Sequence, residues 1–151
     1  MIEIPKLPFE RSVIGLPRPQ PRPRAFVRKG KDGTFRAATY EAGTAEAWKS
    51  DIATAFKDLA GARISHPIDL RIRFYMPRPK SHFKKDGSFS SEAFCSHLKT
   101  PDLDNLEKAV MDALTHIGVW VDDSYVVEKH TYKDWQKHGE PAGAYITIQY
   151  A

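Results

Sequence analysis

Residues 99–127 read KTPDLDNLEKAVMDALTHIGVWVDDSYVV, and the reading of the chain turns on them. Pro101 stops any earlier helix, because the residue before a proline avoids the α region. From there the apolar positions are Leu103, Leu106, Val110, Ala113, Leu114 and Ile117, a helical spacing with one face turned to a core. Gly118 closes the run, as a glycine just past a helix does. Asp104, Lys108 and Asp112 recur every fourth residue and share the polar face. The spacing predicts a helix over 103–117, then a turn, then a strand over 124–134.

Two acidic pairs bracket that helix, Asp102/Asp104 before it and Asp122/Asp123 after GVWV. Capping and a favourable charge on the helix dipole explain an aspartate at a helix start. One cap accounts for one aspartate, and here there are two. The helix, turn and strand are expected to return Asp122 or Asp123 to the helix start, so that three carboxylates converge. Unshielded, they would repel until one took up a proton. A hard divalent cation removes that conflict, because Mg²⁺ is held by a few carboxylates together with water and phosphate oxygens.

The whole chain sets the frame for those acids. At 151 residues and 41% hydrophobic content it is expected to form one domain with a sizeable core. No run of 18 apolar residues is present, so no membrane-spanning helix is expected. The start, MIEIPKLPFE, lacks the basic and apolar regions of a signal peptide, and residues 1–10 read as a loose leader. The single Cys95 cannot form an internal disulfide, and a reducing cytoplasm is the expected location.

The net charge of +4 is unevenly spread. Residues 1–40 carry nine Lys/Arg against three Asp/Glu, and residues 68–101 carry seven against three. Residues 102–151 reverse the balance, with four against nine. Basic segments around a concentrated acidic one suit an enzyme that grips phosphates and holds a cation.

In chain order, RSVIGL at 11–16 reads as a first strand. PRPQPRPR at 17–24 is extended by its alternating prolines, and Arg18, Arg22 and Arg24 project from it. That strip can lie along a DNA backbone, dock on a proline-reading domain, or serve as a stiff solvated connection. AFVRK at 25–29, with Arg28 and Lys29, reads as a second strand. The turn GKDG follows it, and 34–40 reads as a weak strand or a loop. A helix is predicted over 44–60, with Thr44 as cap and Trp48, Ile52, Phe56 and Leu59 in its buried stripe. IDLRIRFYM at 68–76 alternates cleanly as a strand with Arg71 and Arg73 on its exposed face. Residues 77–101 have no periodicity and read as a long, mobile, basic loop carrying Arg78, Lys80, Lys84, Lys85 and Lys99. Phe83, Phe89 and Phe94 interleave with those cations. His82 and His97 have no zinc-like spacing and read as solvated or phosphate-facing. AYITIQY at 144–150 is a last strand. Together these elements predict an α+β fold: a single two-layer domain, a mixed and mainly antiparallel sheet, and both helices on one face.

PDLDNLEKAVMDAL followed by GVWVDDSYVVEKH resembles the signature region of the RusA-type Holliday-junction resolvases, whose pattern is D-x-D-N-L-x-K on a helix and then W-x-D-D entering a strand. The match is ungapped over roughly thirty residues. GLPRPQPRPRAFVRKGKDG and MPRPKSHF are similar to recurring stretches of the same family. The resemblance implies a homodimeric, metal-dependent endodeoxyribonuclease acting on four-way DNA junctions, found in bacteria, prophages and phages. It implies Asp102, Asp104 and Asp123 as catalytic and metal-holding carboxylates, Lys108 as a functional lysine and Asn105 as a supporting polar residue. Asp122 is then an orienting neighbour, and the sequence leaves open whether Asp122 or Asp123 is the ligand. The implied cofactor is Mg²⁺, with Mn²⁺ able to substitute. The DNA contacts expected are Arg18, Arg22, Arg24, Arg28, Lys29, Arg78, Lys80, Lys84, Lys85 and Lys99. The competing readings are a general branched-DNA or flap nuclease, a small-molecule phosphohydrolase, and a non-catalytic structure-specific DNA-binding protein.

Overall fold

The computed structural model describes residues 5–21, 23–41 and 44–151, and side chains within these except at 23–26, 28 and 36–41. A four-stranded sheet carries the fold, in the order β1 (Phe9–Ile14), β6 (Gly143–Tyr150), β4 (Ile68–Met76), β5 (Val126–Trp135). β1 with β6 and β6 with β4 are antiparallel, and β4 with β5 is parallel. The sheet is therefore mixed and mainly antiparallel, as expected. The parallel pair requires a crossover, which α2 (Leu103–His116) supplies, running back between β4 and β5.

Alternation in β4 sends Ile68, Leu70, Ile72, Phe74 and Met76 to one face, all buried. There they join Trp48, Ile52 and Phe56 from α1 (Glu46–Ala55) and its exit, and Leu106, Val110 and Leu114 from α2, in one core. Both helices thus cover the same face. Trp48 is core, as its place in the helical stripe implies. The opposite face is open, with Arg71 and Arg73 exposed.

Several boundaries differ from the sequence reading. β1 begins at Phe9, and Leu7 and Phe9 pack against the core, so the end of the expected leader belongs to the domain. Residues 23–29 do not join the main sheet: β2 (Pro23–Lys29) pairs only with β3 (Phe35–Glu41), as a two-stranded hairpin. α1 stops at Ala55 and continues as a 3-10 turn over Lys57–Leu59.

The expected mobile loop over 77–101 is built, although nothing in it repeats. Arg78 donates to the carbonyls of Gln136 (2.7 Å) and Ala93 (2.9 Å) and meets His82 Nδ1 at 3.1 Å. His82 and His97 are buried, edge-on to Trp135, and are not the solvated histidines expected. Single long-range side chains order this stretch, and a periodicity search does not see them.

Candidate active site

Asp102 occupies the N-cap of α2 in extended conformation, yet its side chain makes no capping hydrogen bond. The structural role that most simply explains an aspartate there is left unused. Asp104 follows in the first turn and accepts from the Asn105 N–H at 2.9 Å. Two tethers hold this helix start. Lys133 on β5 donates to the carbonyls of Lys99 (2.9 Å) and Pro101 (3.1 Å). The Gln20 N–H donates to the Asn105 carbonyl at 2.9 Å, so the proline-arginine segment lies across the first turn of α2. One turn on, Glu107 accepts from Lys129 and Thr131 of β5, each at 2.6 Å. Lys108 stands exposed on the outer face and approaches Asp112 at 3.8 Å. That separation gives a weak pair and leaves the ammonium accessible.

The second acidic pair divides its labour. Asp122 caps the 3-10 turn over Asp123–Tyr125 by accepting from the Ser124 N–H at 2.9 Å. That backbone bond, with the Ser124 side chain, holds the Asp122 carboxyl below the usual aspartate range. Asp123 is half-buried and accepts a short hydrogen bond from the Thr115 hydroxyl. Trp120 Nε1 donates to the same hydroxyl at 2.7 Å and reaches Asp123 at 3.4 Å. Thr115 and Trp120 therefore fix the orientation of Asp123. Trp120 is the tryptophan of the W-x-D-D pattern, to which the sequence reading attaches no role, and Thr115 shows in the sequence only as a polar residue in the last turn of an amphipathic helix.

The expected convergence of three carboxylates does not occur within one copy of the chain. Asp123 bonds to Thr115 at the C-terminal end of α2, whereas Asp102 and Asp104 stand at its N-terminal end. At 1.5 Å per residue, Asp104 and Thr115 are separated by about 16 Å along the helix axis. The reason is topological. α2 runs opposite to β4 and β5, and the chain turns directly from the end of α2 into the start of β5.

Among the described residues, one trio does bring three possible ligand atoms within 4.8 Å of one another: Asp69, Glu128 and His130. It lies on the open face of the sheet, away from α2. A register shift leaves Val127 unpaired and turns Glu128 toward Asp69. Asp69 Oδ2 accepts from Arg71 (3.0 and 3.1 Å) and Gln149 (2.7 Å). Burial pushes the Asp69 carboxyl up, but these bonds and the charges of Arg71 and His130 outweigh it and hold it below the usual range. The trio belongs to a sheet-face ion network and does not include the aspartates of the helix.

The basic residues divide as well. Arg18, Lys29, Lys80, Lys84, Lys85 and Lys99 are exposed. Arg78 is half-buried, and its guanidinium is engaged in ordering the loop and lies over the Phe89 ring. Arg22 lies outside the described residues, as do the side chains of Arg24 and Arg28. No helix is long and apolar enough to cross a membrane among the described residues.

Comparison with known proteins adds a family to this geometry. The family model for endodeoxyribonuclease RusA matches residues 15–149. An uncharacterised protein of Bacillus subtilis, YqaN, is 31% identical over 120 residues, covering 78% of this chain and 80% of its own. The crossover junction endodeoxyribonuclease RusA of Escherichia coli K12 is 28% identical over 99 residues, 65% of this chain and 67% of its own. That of Enterobacteria phage 82 shows the same identity and coverage.

Proposed function

The chain belongs to the RusA endodeoxyribonuclease family, and from that premise we propose that it is a crossover junction endodeoxyribonuclease, cutting four-way DNA junctions by metal-assisted phosphodiester hydrolysis. The observation that carries this reading is the uncapped Asp102 carboxylate beside Asp104, at a helix start tethered from two sides. The family implies a divalent metal. The donor set is all carboxylate, which suits Mg²⁺, or Mn²⁺ in its place. A cation there supplies Lewis acidity and water activation for the hydrolysis. Asp102, Asp104 and Asp123 are the residues that would hold it. Asp122 is spent on its cap, and this favours Asp123 as the ligand.

One copy presents these ligands about a helix length apart, so the reading requires two. A two-fold axis across the middle of α2 reverses the helix and sets the Asp102/Asp104 end of one copy beside the Asp123 end of the other. Two equivalent centres result, matching the two strands cut in a symmetric junction. Lys108, exposed on the same helix, would then bind the scissile phosphate. The exposed cations at Arg18, Lys29, Lys80, Lys84, Lys85 and Lys99 serve the DNA backbone. A cytoplasmic location goes with this reading, in keeping with the free thiol of Cys95.

The test is cleavage of a labelled four-way junction beside matched duplex and flap DNA, with and without Mg²⁺. Paired, Mg²⁺-dependent cuts confined to the junction are expected. Asp104→Asn should lose at least a hundredfold in rate while still binding the junction. Equal cutting of flaps would replace the substrate with branched DNA in general. Binding without cutting under any divalent metal would leave a DNA-binding protein.

A further inference from the structure

Two Pro-Arg-Pro runs, 17–19 and 77–79, line one cavity of about 470 Å³. Trp135 and Met76 contribute buried apolar surface to it, Leu16 stands exposed at its edge, and Lys99, Thr100 and Pro101 close it immediately before Asp102. We propose that this cavity receives one unstacked nucleotide of the DNA, with the base among the prolines and Trp135 and the flanking phosphates on Arg18 and Lys99. This rests on the junction reading and adds to it a place for a base taken out of the helix.

Two features point to that occupant. The volume falls in the range of small-molecule pockets, and the lining is mostly apolar with a few polar groups, as recognition of a flat heterocycle requires. The lining carries Arg18, Arg78 and Lys99 and no carboxylate, so it complements a polyanion, although the acidic helix begins next to it. The walls are also preformed, by the fixed φ of the prolines and by the pinned Arg78 guanidinium. A branch point supplies the nucleotide at low cost, because pairing and stacking are already weakened there.

The test couples a missing base to a filled cavity. Junctions with one abasic nucleotide at the branch point are compared with intact ones, in Ca²⁺ to prevent cutting, against wild type and Leu16→Trp. Leu16 is exposed, so the added indole fills the cavity mouth without disturbing the core, and circular dichroism confirms folding. Wild type is expected to bind the abasic junction about tenfold more weakly, the scale of one lost base stack. Leu16→Trp should bind both junctions alike, at the weaker affinity, with duplex affinity unchanged. Arg18→Ala should weaken both junctions while keeping the difference between them. If wild type prefers junctions but ignores the abasic change, the cavity proposal fails and the junction reading stands. If the abasic penalty persists in Leu16→Trp, the base is held elsewhere. If wild type shows no preference for junctions over duplex, both readings fall together.

Discussion

Asp123 shows how a single side chain acquires a role from its neighbours. Its carboxylate is aimed by the Thr115 hydroxyl, which Trp120 in turn orients. Thr115→Val keeps the shape and removes the donor. Junction cleavage should fall about ten- to hundredfold, with Thr115→Ser recovering most of it and junction affinity in Ca²⁺ unchanged. An equal loss in stability and in binding would mean that Thr115 only packs. At His97, burial first, then the charges of Lys133 and Lys99, hold the imidazole below its usual 6.5. The folded state therefore keeps His97 neutral. The stability this carries is whole above pH 6.5 and declines as pH falls through 6.5 toward the depressed value, because there the unfolded chain binds more protons. Urea unfolding from pH 7.5 to 5 should show that decline in wild type and a flatter profile in His97→Gln. An identical slope in both would contradict it. Neither environment was legible beforehand: the sequence names a histidine, whereas its burial against Trp135 comes from strands and loops far apart in the chain.

At the scale of elements, what repeats was readable and what does not repeat was not. α2 followed from its apolar spacing and its glycine. The end is a Schellman motif, with the Val119 N–H on the Leu114 carbonyl (3.1 Å) and the Gly118 N–H on the Thr115 carbonyl (3.0 Å), at φ +75 for Gly118. β4 followed from strict alternation. The turn GKDG points to the β2–β3 hairpin, which forms, but a strand pattern does not say that 23–29 stays apart from the main sheet. The same limit hid the separation of the two acidic pairs, since spacing gives the length of α2 but not the direction in which β5 leaves it. Gly143 opens β6 where β1 passes close, and a Cβ there would overlap the Val13 carbonyl oxygen. Gly143→Ala is therefore expected to cost about 2–3 kcal/mol, read as a lower urea midpoint at constant m-value. A change below about 0.5 kcal/mol would show that the β1–β6 edge yields freely.

For the whole molecule, the segregated charge seen in the sequence becomes a spatial arrangement. The exposed cations Arg18 and Lys99 stand near the Asp102 end of α2, while Asp123 lies at the other end. The family pattern names Asp102, Asp104 and Asp123; within one chain they stand at opposite ends of α2, so the centre proposed above needs two chains. The most direct test mixes two inactive variants, Asp104→Asn and Asp123→Asn, refolded together so that mixed dimers form. If each centre takes Asp102 and Asp104 from one copy and Asp123 from the other, a mixed dimer holds one centre with both changes and one intact. The mixture should then nick four-way junctions at single strands in Mg²⁺, although neither variant alone cuts. A mixture as inactive as its parents, with mixed dimers shown to be present, would contradict the shared centre.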